Sequence, residues 1–345
     1  MNKKNIVVKI GTSTILKNNQ IDILIIKNLA KIIKKYSKTH NFIIVTSGAV
    51  GKGATILNYK NRPKDIKRMQ VASAVGQIDL IYTYKKIFEK ENLTVAQVLL
   101  TKNLIDSREQ FKNTTQALTE LISQNIIPVI NENDVVAIEE LKYGDNDRLA
   151  AIVAIILKAS KLILITNKDG LFKANPDKVS NAKKIDLIQF DSEELNSLIP
   201  TSKSGSGSGG FSTKIIAAQM AGFSGISTQI ISWKKENFIN AIENNNVGTF
   251  IKPSNHKLKL KKLWIAFALE VKSTIYIDKG AFLAISKDAS LLTKGVINIS
   301  KNFLRYEGLE VIYNGKIVAK GISNISSEDL NTESLLIHKD SLIIL

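Results

Sequence analysis

The sequence predicts an α/β protein: a three-layer αβα sandwich with a mainly parallel central sheet, followed by a small β-rich domain. Short apolar runs alternate with amphipathic helical patterns through the first 250 residues, and this alternation indicates βαβ units. The pattern then changes to short strands punctuated by glycines. A chain of 345 residues is long enough to bury the cores of two such domains.

The elements of the first domain follow from local periodicity. A short apolar run predicts a buried strand, whereas apolar positions three and four residues apart predict a helix. We therefore expect, in chain order, strand 6–10, helix 22–37, strand 42–46, helix 69–88, strand 94–100, helix 111–124, strand 126–130, helix 149–159, strand 162–166, helix 213–221 and strand 228–231.

A polar, lysine-dense segment separates the two predicted domains. Residues 255–264 form this linker, so the first domain covers 1–254 and the second covers 265–345. Short strands are expected in the second domain at 273–277, 295–299, 309–313, 317–322 and 335–337.

The composition excludes several classes of protein. The chain has no cysteine, which excludes disulfides, thiolate catalysis and zinc–cysteine sites. Its three histidines are scattered, so we expect no histidine metal site. No apolar run is long enough to cross a membrane, and Lys9 interrupts the apolar stretch at the N-terminus, so we expect neither a membrane span nor a signal peptide. These features predict a cytoplasmic protein.

The net charge of +17 raises the question of nucleic-acid binding. Residues 265–345 carry nine basic and nine acidic side chains, so the whole excess of positive charge lies in residues 1–264. The abundance of lysine, isoleucine and asparagine is what an AT-rich coding sequence produces. An RNA-binding protein is one alternative, but the neutral second domain, without an arginine cluster or a row of aromatic residues, disfavours it.

Short acids and amides follow one predicted strand and precede one predicted helix. Residues 131–134 read Asn-Glu-Asn-Asp and residues 144–147 read Gly-Asp-Asn-Asp. Ligands of open α/β sheets bind at the carboxyl ends of the strands, and carboxylates there would hold a cationic amino group or a magnesium ion that carries phosphates. The alternative is two helix-capping turns with solvated acids. The four carboxylates are Glu132, Asp134, Asp145 and Asp147.

Two further strand ends carry groups that suit anions. Lys9, followed by Gly11, would form an anion site from an ammonium group and backbone amides, although an ordinary strand-end lysine explains it equally well. Residues 46–53 follow the next strand but lack the glycine spacing of a Walker A loop. Their small and hydroxyl side chains instead favour a pocket for a carboxylate or an amino acid backbone.

A glycine- and serine-rich stretch, 204–214, leads into the helix predicted from residue 213. A flexible linker is the alternative interpretation, yet this stretch lies inside the α/β pattern. Backbone amides at a helix start bind phosphate. A lysine in the first turn of a helix interacts unfavourably with the helix dipole, so the presence of Lys214 in the first turn of the predicted helix suggests that it binds an anion. Residues 166–172 form a strand end and turn, which would line a nucleotide pocket or serve only as a turn.

Taken together, these segments resemble the amino acid kinase family, and within it the members that phosphorylate glutamate. The resemblance is collinear over nearly the whole chain, and residues 275–345 resemble a PUA domain, a small β-barrel-like module. The segments that carry the resemblance are 7–13, 45–49, 75–77, 129–134, 144–147 and 209–214.

The resemblance implies a role for each site residue. Lys9 and Lys214 would neutralise phosphates, and Asp147 would orient these lysines or the magnesium-bound phosphates. Thr166 and Asn167 would line the nucleotide site. Glutamate would be bound by Ser47, Asp134 and Asn146. ATP would be cradled by Ser208, Gly209, Gly210, Phe211, Ser212, Thr213 and Lys214. Departures from the family pattern at Asn167, Asn175 and Ser208 concern the nucleotide site.

The resemblance also implies the reaction and its partners. ATP would phosphorylate the γ-carboxylate of L-glutamate to L-glutamyl 5-phosphate, the first step of proline biosynthesis. Mg²⁺ would be bound mainly through the nucleotide phosphates, without protein ligands. A homo-oligomer, either dimer or tetramer, and coupling to glutamyl phosphate reductase are expected, whereas nucleic acid and membrane are not. A kinase for another small carboxylate is the nearest alternative.

Overall fold

The structure, a computed structural model, describes residues 3–101, 108–136, 146–174, 176, 179, 181–199, 209–255, 262, 265–266, 269 and 271–344. The chain divides into two units, Met1–Lys257 and Leu258–Leu345. Strands and helices alternate in the first unit, whereas the second consists mainly of strands. The predicted fold class is therefore confirmed.

The elements of the first unit alternate along the chain. Its strands are β1 (Lys4–Ile10), β2 (Leu16–Lys17), β3 (Gln20–Ile21), β4 (His40–Thr46), β5 (Val95–Leu100), β6 (Ile127–Glu132), β7 (Lys161–Thr166), β8 (Leu171–Phe172), β9 (Lys184–Ile185), β10 (Leu187–Gln189), β11 (Ser227–Ser232) and β12 (Thr249–Lys252). Its helices are α1 (Thr12–Ile15), α2 (Ile23–Tyr36), α3 (Ala49–Ile56), α4 (Ile66–Glu89), α5 (Arg108–Ser123), α6 (Asn146–Ile156), α7 (Glu193–Ser197), α8 (Gly209–Phe223) and α9 (Lys235–Ile242). Among the helices of the described residues, none is both long and apolar enough to cross a membrane.

Eight strands form one sheet in the order β10-β12-β11-β7-β1-β4-β6-β5. From β11 to β5 every neighbouring pair is parallel, and β12 runs antiparallel to β11. The inner strands are buried on both faces, which explains their continuous apolar sequences. Because parallel strands end at the same edge, the polar residues that follow β1, β4, β6 and β7 are gathered there.

Two boundaries near that edge differ from the prediction. The sequence predicts a strand over 126–130, whereas β6 continues through Asn131 and Glu132, because these residues pair with Leu99 and Leu100 of β5. The sequence predicts a helix from residue 213, whereas α8 begins at Gly209. Glycine has a low helix propensity, so the sequence pattern conceals this helix start. Lys214 consequently lies in the second turn of α8, and the prediction that it lies in the first turn is wrong.

Helix α6 covers Asn146–Ile156 instead of the predicted 149–159. Its end is set by Lys158, which has a left-handed φ of 47°. The N–H of Ala159 then donates to the carbonyl of Ala154 at 2.8 Å, a pattern that closes helix C-termini. At its N-terminus the helix begins three residues earlier than predicted, so its first turn includes Asn146 and Asp147. The carboxylate of Asp147 interacts favourably with the helix dipole at this position.

Asparagine ends four of the described helices in the same way. Each of these residues has a positive φ between 53° and 63°, a conformation that asparagine tolerates better than most residues. After α5, for example, the N–H of Ile126 donates to the carbonyl of Leu121 at 2.9 Å. Part of the high asparagine content therefore has a structural purpose. The residues are Asn58, Asn92, Asn125 and Asn244.

Helices α3 and α4 pack with their backbones in close contact because each has a glycine at the crossing. A Cβ atom added at Gly53 would lie 1.7 Å from the carbonyl oxygen of Ala72. One added at Gly76 would lie 2.0 Å from the carbonyl oxygen of Ala49. The backbone atoms in these contacts cannot rotate away, so only glycine fits at the two positions.

We expect Gly53→Ala to destabilise the first unit by about 1–3 kcal/mol or more, because the added methyl group forces α3 away from α4. Urea unfolding would measure the change in the free energy of unfolding. Gly51→Ala is a matched control on the same helix, since its Cβ would meet only Leu16 Cδ1, the movable end of a side chain, at 2.5 Å. Equal destabilisation by the two variants would contradict this account of the packing.

The second unit contains a five-stranded sheet in the order β15-β13-β16-β17-β19. Its core combines aliphatic residues of these strands with Phe303, and Phe282 stacks on Tyr313 with ring centroids 4.5 Å apart. A helix over Lys279–Ile285 and the strand β19 are not predicted by the sequence. The strands are β13 (Val271–Ile277), β14 (Leu291–Leu292), β15 (Val296–Ile299), β16 (Gly308–Tyr313), β17 (Lys316–Ile322), β18 (Leu335–Ile337) and β19 (Leu342–Ile344).

Candidate active site

The candidate site lies where the parallel strands β1, β4, β6 and β7 end. Lys9 is the next-to-last residue of β1, Ser47 follows β4, and Glu132 ends β6. In the sheet register, Lys9 lies beside Val45 of β4 and Leu164 of β7. Ligands of open α/β sheets bind at this edge.

Four side chains form a group that we call the ion cluster: Lys9, Asp147, Thr213 and Lys214. Lys9 Nζ lies 2.7 Å from Asp147 Oδ1, and Lys214 Nζ lies 3.0 Å from Asp147 Oδ2. Thr213 Oγ1 donates to the same Oδ2 at 2.8 Å. The side chains of Lys9, Asp147 and Lys214 are only 7%, 4% and 14% exposed, respectively. The ion cluster therefore carries a net charge of one positive unit in a largely buried position.

Three elements assemble the ion cluster. Strand β1 supplies Lys9, the first turn of α6 supplies Asp147, and the second turn of α8 supplies Thr213 and Lys214. Helix α6 is buried along most of its length and packs against α8. The position of the carboxylate is thus fixed by the packing of two helices over the sheet.

The charge state of Asp147 follows from its two partners. Burial raises the pKa of its carboxyl group, but the ammonium groups of Lys9 and Lys214 outweigh this effect, and the resulting pKa is about 2. The carboxylate is therefore ionised at neutral pH and anchors two cations.

We expect part of the stability of the first unit to depend on this carboxylate. The pKa of Asp147 falls from an ordinary 3.8 to about 2 on folding, so its stabilising effect is complete above pH 3.8 and is lost as the pH falls through about 2. The shift corresponds to about 2 kcal/mol. In urea unfolding, the difference in the free energy of unfolding between the unmodified protein and Asp147→Asn should narrow from about pH 7 to about pH 3. A difference that does not change with pH would contradict this expectation.

A second group of side chains, the amide network, lies beside the ion cluster and consists of Asn146, Asn131 and Gln77. The two N–H groups of Asn146 Nδ2 are shared among three acceptors: the carbonyl oxygen of Thr46 at 2.6 Å, and Ser47 Oγ and Asn131 Oδ1 at 2.9 Å each. Asn131 Nδ2 donates to Gln77 Oε1 at 2.8 Å. Asn146 immediately precedes the aspartate of the ion cluster, so the first turn of α6 joins the two groups.

Helix α4 also fixes the turn that follows β6. Ser73 Oγ donates a hydrogen bond to Asp134 Oδ2, and Gln70 Nε2 donates to the carbonyl oxygen of Val135 at 2.9 Å. Ser73 lies one helical turn before Gln77. The inner face of α4 therefore contacts both Asp134 and the amide network.

The end of β7 supplies a further polar turn. Thr166 is the last residue of β7 and pairs with Ser232 of β11. Its Oγ1 donates to Asn167 Oδ1 at 3.2 Å, and Ser232 Oγ donates to Asp169 Oδ1 at 3.0 Å. These hydrogen bonds order the turn on the strand next to β1.

The structure brings most of the predicted site residues to one edge of the sheet. The predicted phosphate-binding lysines meet at Asp147, and Ser47 contacts Asn146, as described above. Gly209, Gly210, Phe211 and Ser212 form the start of α8, ahead of Thr213. Three predicted residues lie outside the described residues: Asp145, Asn175 and Ser208.

The sequence interpretation assigns no role to Ser73, Gln77 or Asn131 individually. The signal that would find the first two is their spacing: they are polar residues four apart on a buried face of α4, with exposures of 4% and 9%. Buried polar side chains at helical spacing require partners, and those of α4 are found in the turn after β6 and the amide network.

Comparisons with known proteins identify the family of the chain. A sequence model of the amino acid kinase family matches residues 4–232, and one of the PUA domain matches residues 273–333. A glutamate 5-kinase of Prochlorococcus marinus (strain MIT 9301) is 39% identical over 360 residues, which cover 99% of each chain. One from Haemophilus influenzae (strain PittGG) is 39% identical over 338 residues, covering 96% of this chain and 91% of that protein.

The similarity of this chain to solved structures supports only its fold, because the sequence identities are low. UMP kinase from Ureaplasma parvum superposes with a TM-score of 0.50 and 20% identity over 73% of this chain and 100% of its own. An isopentenyl phosphate kinase gives a TM-score of 0.50 and 17% identity over 72% of this chain and 100% of its own. The match of the family model and the full-length relatives decide the assignment: the chain belongs to the amino acid kinase family and carries a PUA domain near its C-terminus.

Proposed function

We propose that this chain transfers the terminal phosphoryl group of ATP to the γ-carboxylate of L-glutamate, giving L-glutamyl 5-phosphate and ADP. The observation that carries the proposal is the ion cluster directly beside the amide network, joined at the first turn of α6. The ion cluster offers cations to phosphates, and the amide network offers hydrogen-bonding groups to an amino acid. Relatives named glutamate 5-kinase, aligned over 99% of the chain, support glutamate as the acceptor.

The reaction needs positive charge and alignment more than it needs a base. A glutamate side chain has a pKa of about 4.3, so its γ-carboxylate is already an ionised nucleophile at neutral pH. The obstacle is repulsion between this carboxylate and the anionic phosphates. Lys9 and Lys214 reduce the repulsion, and Asp147 keeps both ammonium groups in fixed positions. Groups fixed before the reaction stabilise the transition state without a reorganisation cost.

The nucleotide phosphates would lie at the start of α8. The first residues of α8 are Gly209 and Gly210, which have no side chains to obstruct an approaching phosphate, and the free N–H groups of a helix start bind anions. Lys214 lies in the next turn of the same helix, so its ammonium group would contact phosphates bound there. Thr166 and Asn167, at the end of β7, would line the rest of the nucleotide site.

Magnesium would be bound through the phosphates of ATP. Within the described ranges, no group of three or more His, Asp or Glu side chains is arranged to bind a metal. Asp147, the carboxylate nearest to the lysines, is already engaged by both of them. Magnesium bound with the nucleotide would add positive charge at the phosphates.

Glutamate would be bound on the other side of the ion cluster. Ser47 and Asn146 contact each other there, and Asp134 is positioned by the hydroxyl group of Ser73. An aspartate and an amide oxygen suit the α-ammonium group of an amino acid. We therefore retain Ser47, Asp134 and Asn146 as the proposed glutamate-binding residues.

A panel of acceptors tests the proposal. ADP release would be measured with magnesium and ATP in the presence of L-glutamate, L-aspartate or N-acetyl-L-glutamate. ADP release that depends on glutamate alone is expected. Release only with another acid would preserve the phosphoryl-transfer chemistry and overturn the assignment of Ser47, Asp134 and Asn146. Release with none of the acids would contradict the proposed function.

We further propose a cytoplasmic enzyme at the first step of proline biosynthesis, since its two substrates are cytoplasmic metabolites. Its acyl phosphate product hydrolyses readily, which favours prompt transfer to glutamyl phosphate reductase. A homo-oligomer, dimer or tetramer, is proposed as well, supported by exposed apolar residues on α4: Val71, Ile78 and Tyr82 are 50%, 69% and 52% exposed. Light scattering on the purified chain would give the mass, and a monomer would contradict the oligomer.

A further inference from the structure

We propose that Gln77 binds the α-carboxylate of the amino acid substrate through its Nε2 group. This inference deepens the proposed function and rests on it. The inference follows from the hydrogen bonds within the amide network, which fix the orientation of each side-chain amide. Once these orientations are fixed, one acceptor at one end of the network and one donor at the other end are left for a ligand.

The orientation of Asn146 is fixed by a backbone carbonyl. The side-chain atom that lies 2.6 Å from the carbonyl oxygen of Thr46 must be the nitrogen, because a carbonyl oxygen can only accept. Asn131 is fixed in the same way: its Oδ1 accepts from Asn146 Nδ2 and from the backbone N–H of Glu132, both at 2.9 Å. Neither amide can flip without losing these hydrogen bonds.

The orientation of Gln77 follows from that of Asn131. With its Oδ1 occupied, Asn131 presents Nδ2 to Gln77 at 2.8 Å, so the contacting atom of Gln77 must be Oε1. Two atoms then remain, Asn146 Oδ1 and Gln77 Nε2. Asn146 Oδ1 is fully buried without a hydrogen-bond partner, and Gln77 Nε2 has no partner among the described residues. Gln77 is 9% exposed, and its Nε2 is not one of the fully buried atoms, so a ligand can reach it. A buried acceptor without a partner is unfavourable, and an accessible donor without a partner is open to a ligand, so we expect both atoms to contact the substrate.

The two remaining atoms match the two charged groups on the α-carbon of an amino acid. Asn146 Oδ1 accepts hydrogen bonds and suits the α-ammonium group, whereas Gln77 Nε2 donates and suits the α-carboxylate. Ser73, one turn earlier on α4, donates to Asp134, so Gln77 belongs to the same wall of the proposed glutamate site. A purely supporting role for Gln77 would require only Oε1, and the following experiment separates the two roles.

Two substitutions and two substrates test the inference. Gln77→Met removes both polar atoms at similar size, and Gln77→Glu keeps an acceptor for Asn131 but replaces the donor with a carboxylate oxygen. The kcat/KM values for L-glutamate and for 4-aminobutyrate, which lacks the α-carboxylate, would be measured by hydroxamate formation. Gln124→Met is a matched control, because Gln124 is exposed and bonds only to Glu120 within the described residues.

We expect kcat/KM for glutamate to fall about 10- to 100-fold in Gln77→Met, which is the range for a hydrogen bond to a charged group. The loss should be larger in Gln77→Glu, where two carboxylates meet. 4-Aminobutyrate has no α-carboxylate for Nε2 to bind. Its kcat/KM should therefore fall only by the effect that both substrates share, the loss of the Oε1 contact with Asn131 in Gln77→Met, which is about threefold. The KM for ATP should remain unchanged in both variants.

An equal fall for both substrates would overturn the inference, because Gln77 would then act only by supporting Asn131. If Gln77→Met does not fold, Gln77→Glu decides through the same ratio of the two kcat/KM values. Hydroxamate formation by the unmodified protein tests the proposed function separately. If that protein forms no hydroxamate from glutamate, the proposed function fails and this inference fails with it, whereas activity with an unchanged ratio contradicts this inference alone.

Discussion

Replacing Lys214 with alanine is expected to lower kcat by about two orders of magnitude or more with little loss of stability. The substitution removes one of two ammonium groups and reduces the net charge of the ion cluster from one positive unit to zero. Loss of a single group that stabilises developing charge typically costs 10²- to 10³-fold in kcat. Asp147 keeps Lys9 at 2.7 Å, so no buried carboxylate is left unpaired and the fold should persist.

The measurement is steady-state kinetics with saturating ATP and glutamate, together with a thermal melt of each protein. Lys31→Ala is the matched control, since Lys31 is an exposed lysine within α2 and belongs to neither the ion cluster nor the amide network. Turnover of Lys214→Ala within a few-fold of the unmodified protein would remove this lysine from the mechanism, provided that the control is also active.

The second large effect is expected from Asp147→Asn, which changes the charge of the ion cluster in the opposite direction. An asparagine can keep the hydrogen bond from Thr213, but it cannot anchor two ammonium groups, which would then repel each other. We expect kcat to fall about tenfold or more, because misplaced reacting and stabilising groups are costly. The KM for ATP should not rise, because the site becomes more positive.

This combination of a lower kcat with an unchanged or lower KM distinguishes positioning from simple neutralisation. If Asp147 mattered only as a negative charge close to an anionic nucleotide, its removal would raise kcat/KM. Asp186→Asn serves as a control, since Asp186 is an exposed aspartate paired with Lys184 at 3.1 Å. A normal or increased kcat in Asp147→Asn would contradict the positioning role.

Much of the fold can be predicted from the sequence because the inner strands are buried on both faces. Continuous apolar runs mark β1, β4 and β7, and each predicted C-terminal boundary agrees with the structure. The polar residues after these runs identify the edge of the sheet where the candidate site lies. The site could be located in this way because parallel strands end on the same side.

The remaining features depend on contacts that a periodic pattern does not encode. The start of α8 at Gly209 is concealed by glycine, and the glycine-rich α3 forms because its backbone packs directly on α4. The pairing of Asp147 with Lys9 and Lys214 joins residues that are more than sixty positions apart in sequence. The resemblance suggests an orienting role for Asp147, but only the coordinates show that both lysines meet at one carboxylate. The roles of these residues in the reaction stay predictions.

In the proposed reaction, the γ-carboxylate of glutamate attacks the terminal phosphorus of ATP. L-Glutamate labelled with ¹⁸O in its γ-carboxylate would be incubated with ATP, magnesium and hydroxylamine, and the released phosphate analysed by mass spectrometry. Hydroxylamine attacks the acyl carbon, so the phosphate that leaves keeps the oxygen that formed the bond to phosphorus. We expect one ¹⁸O atom in each released phosphate. Phosphate without ¹⁸O, released at the rate of ADP formation, would contradict the proposed reaction.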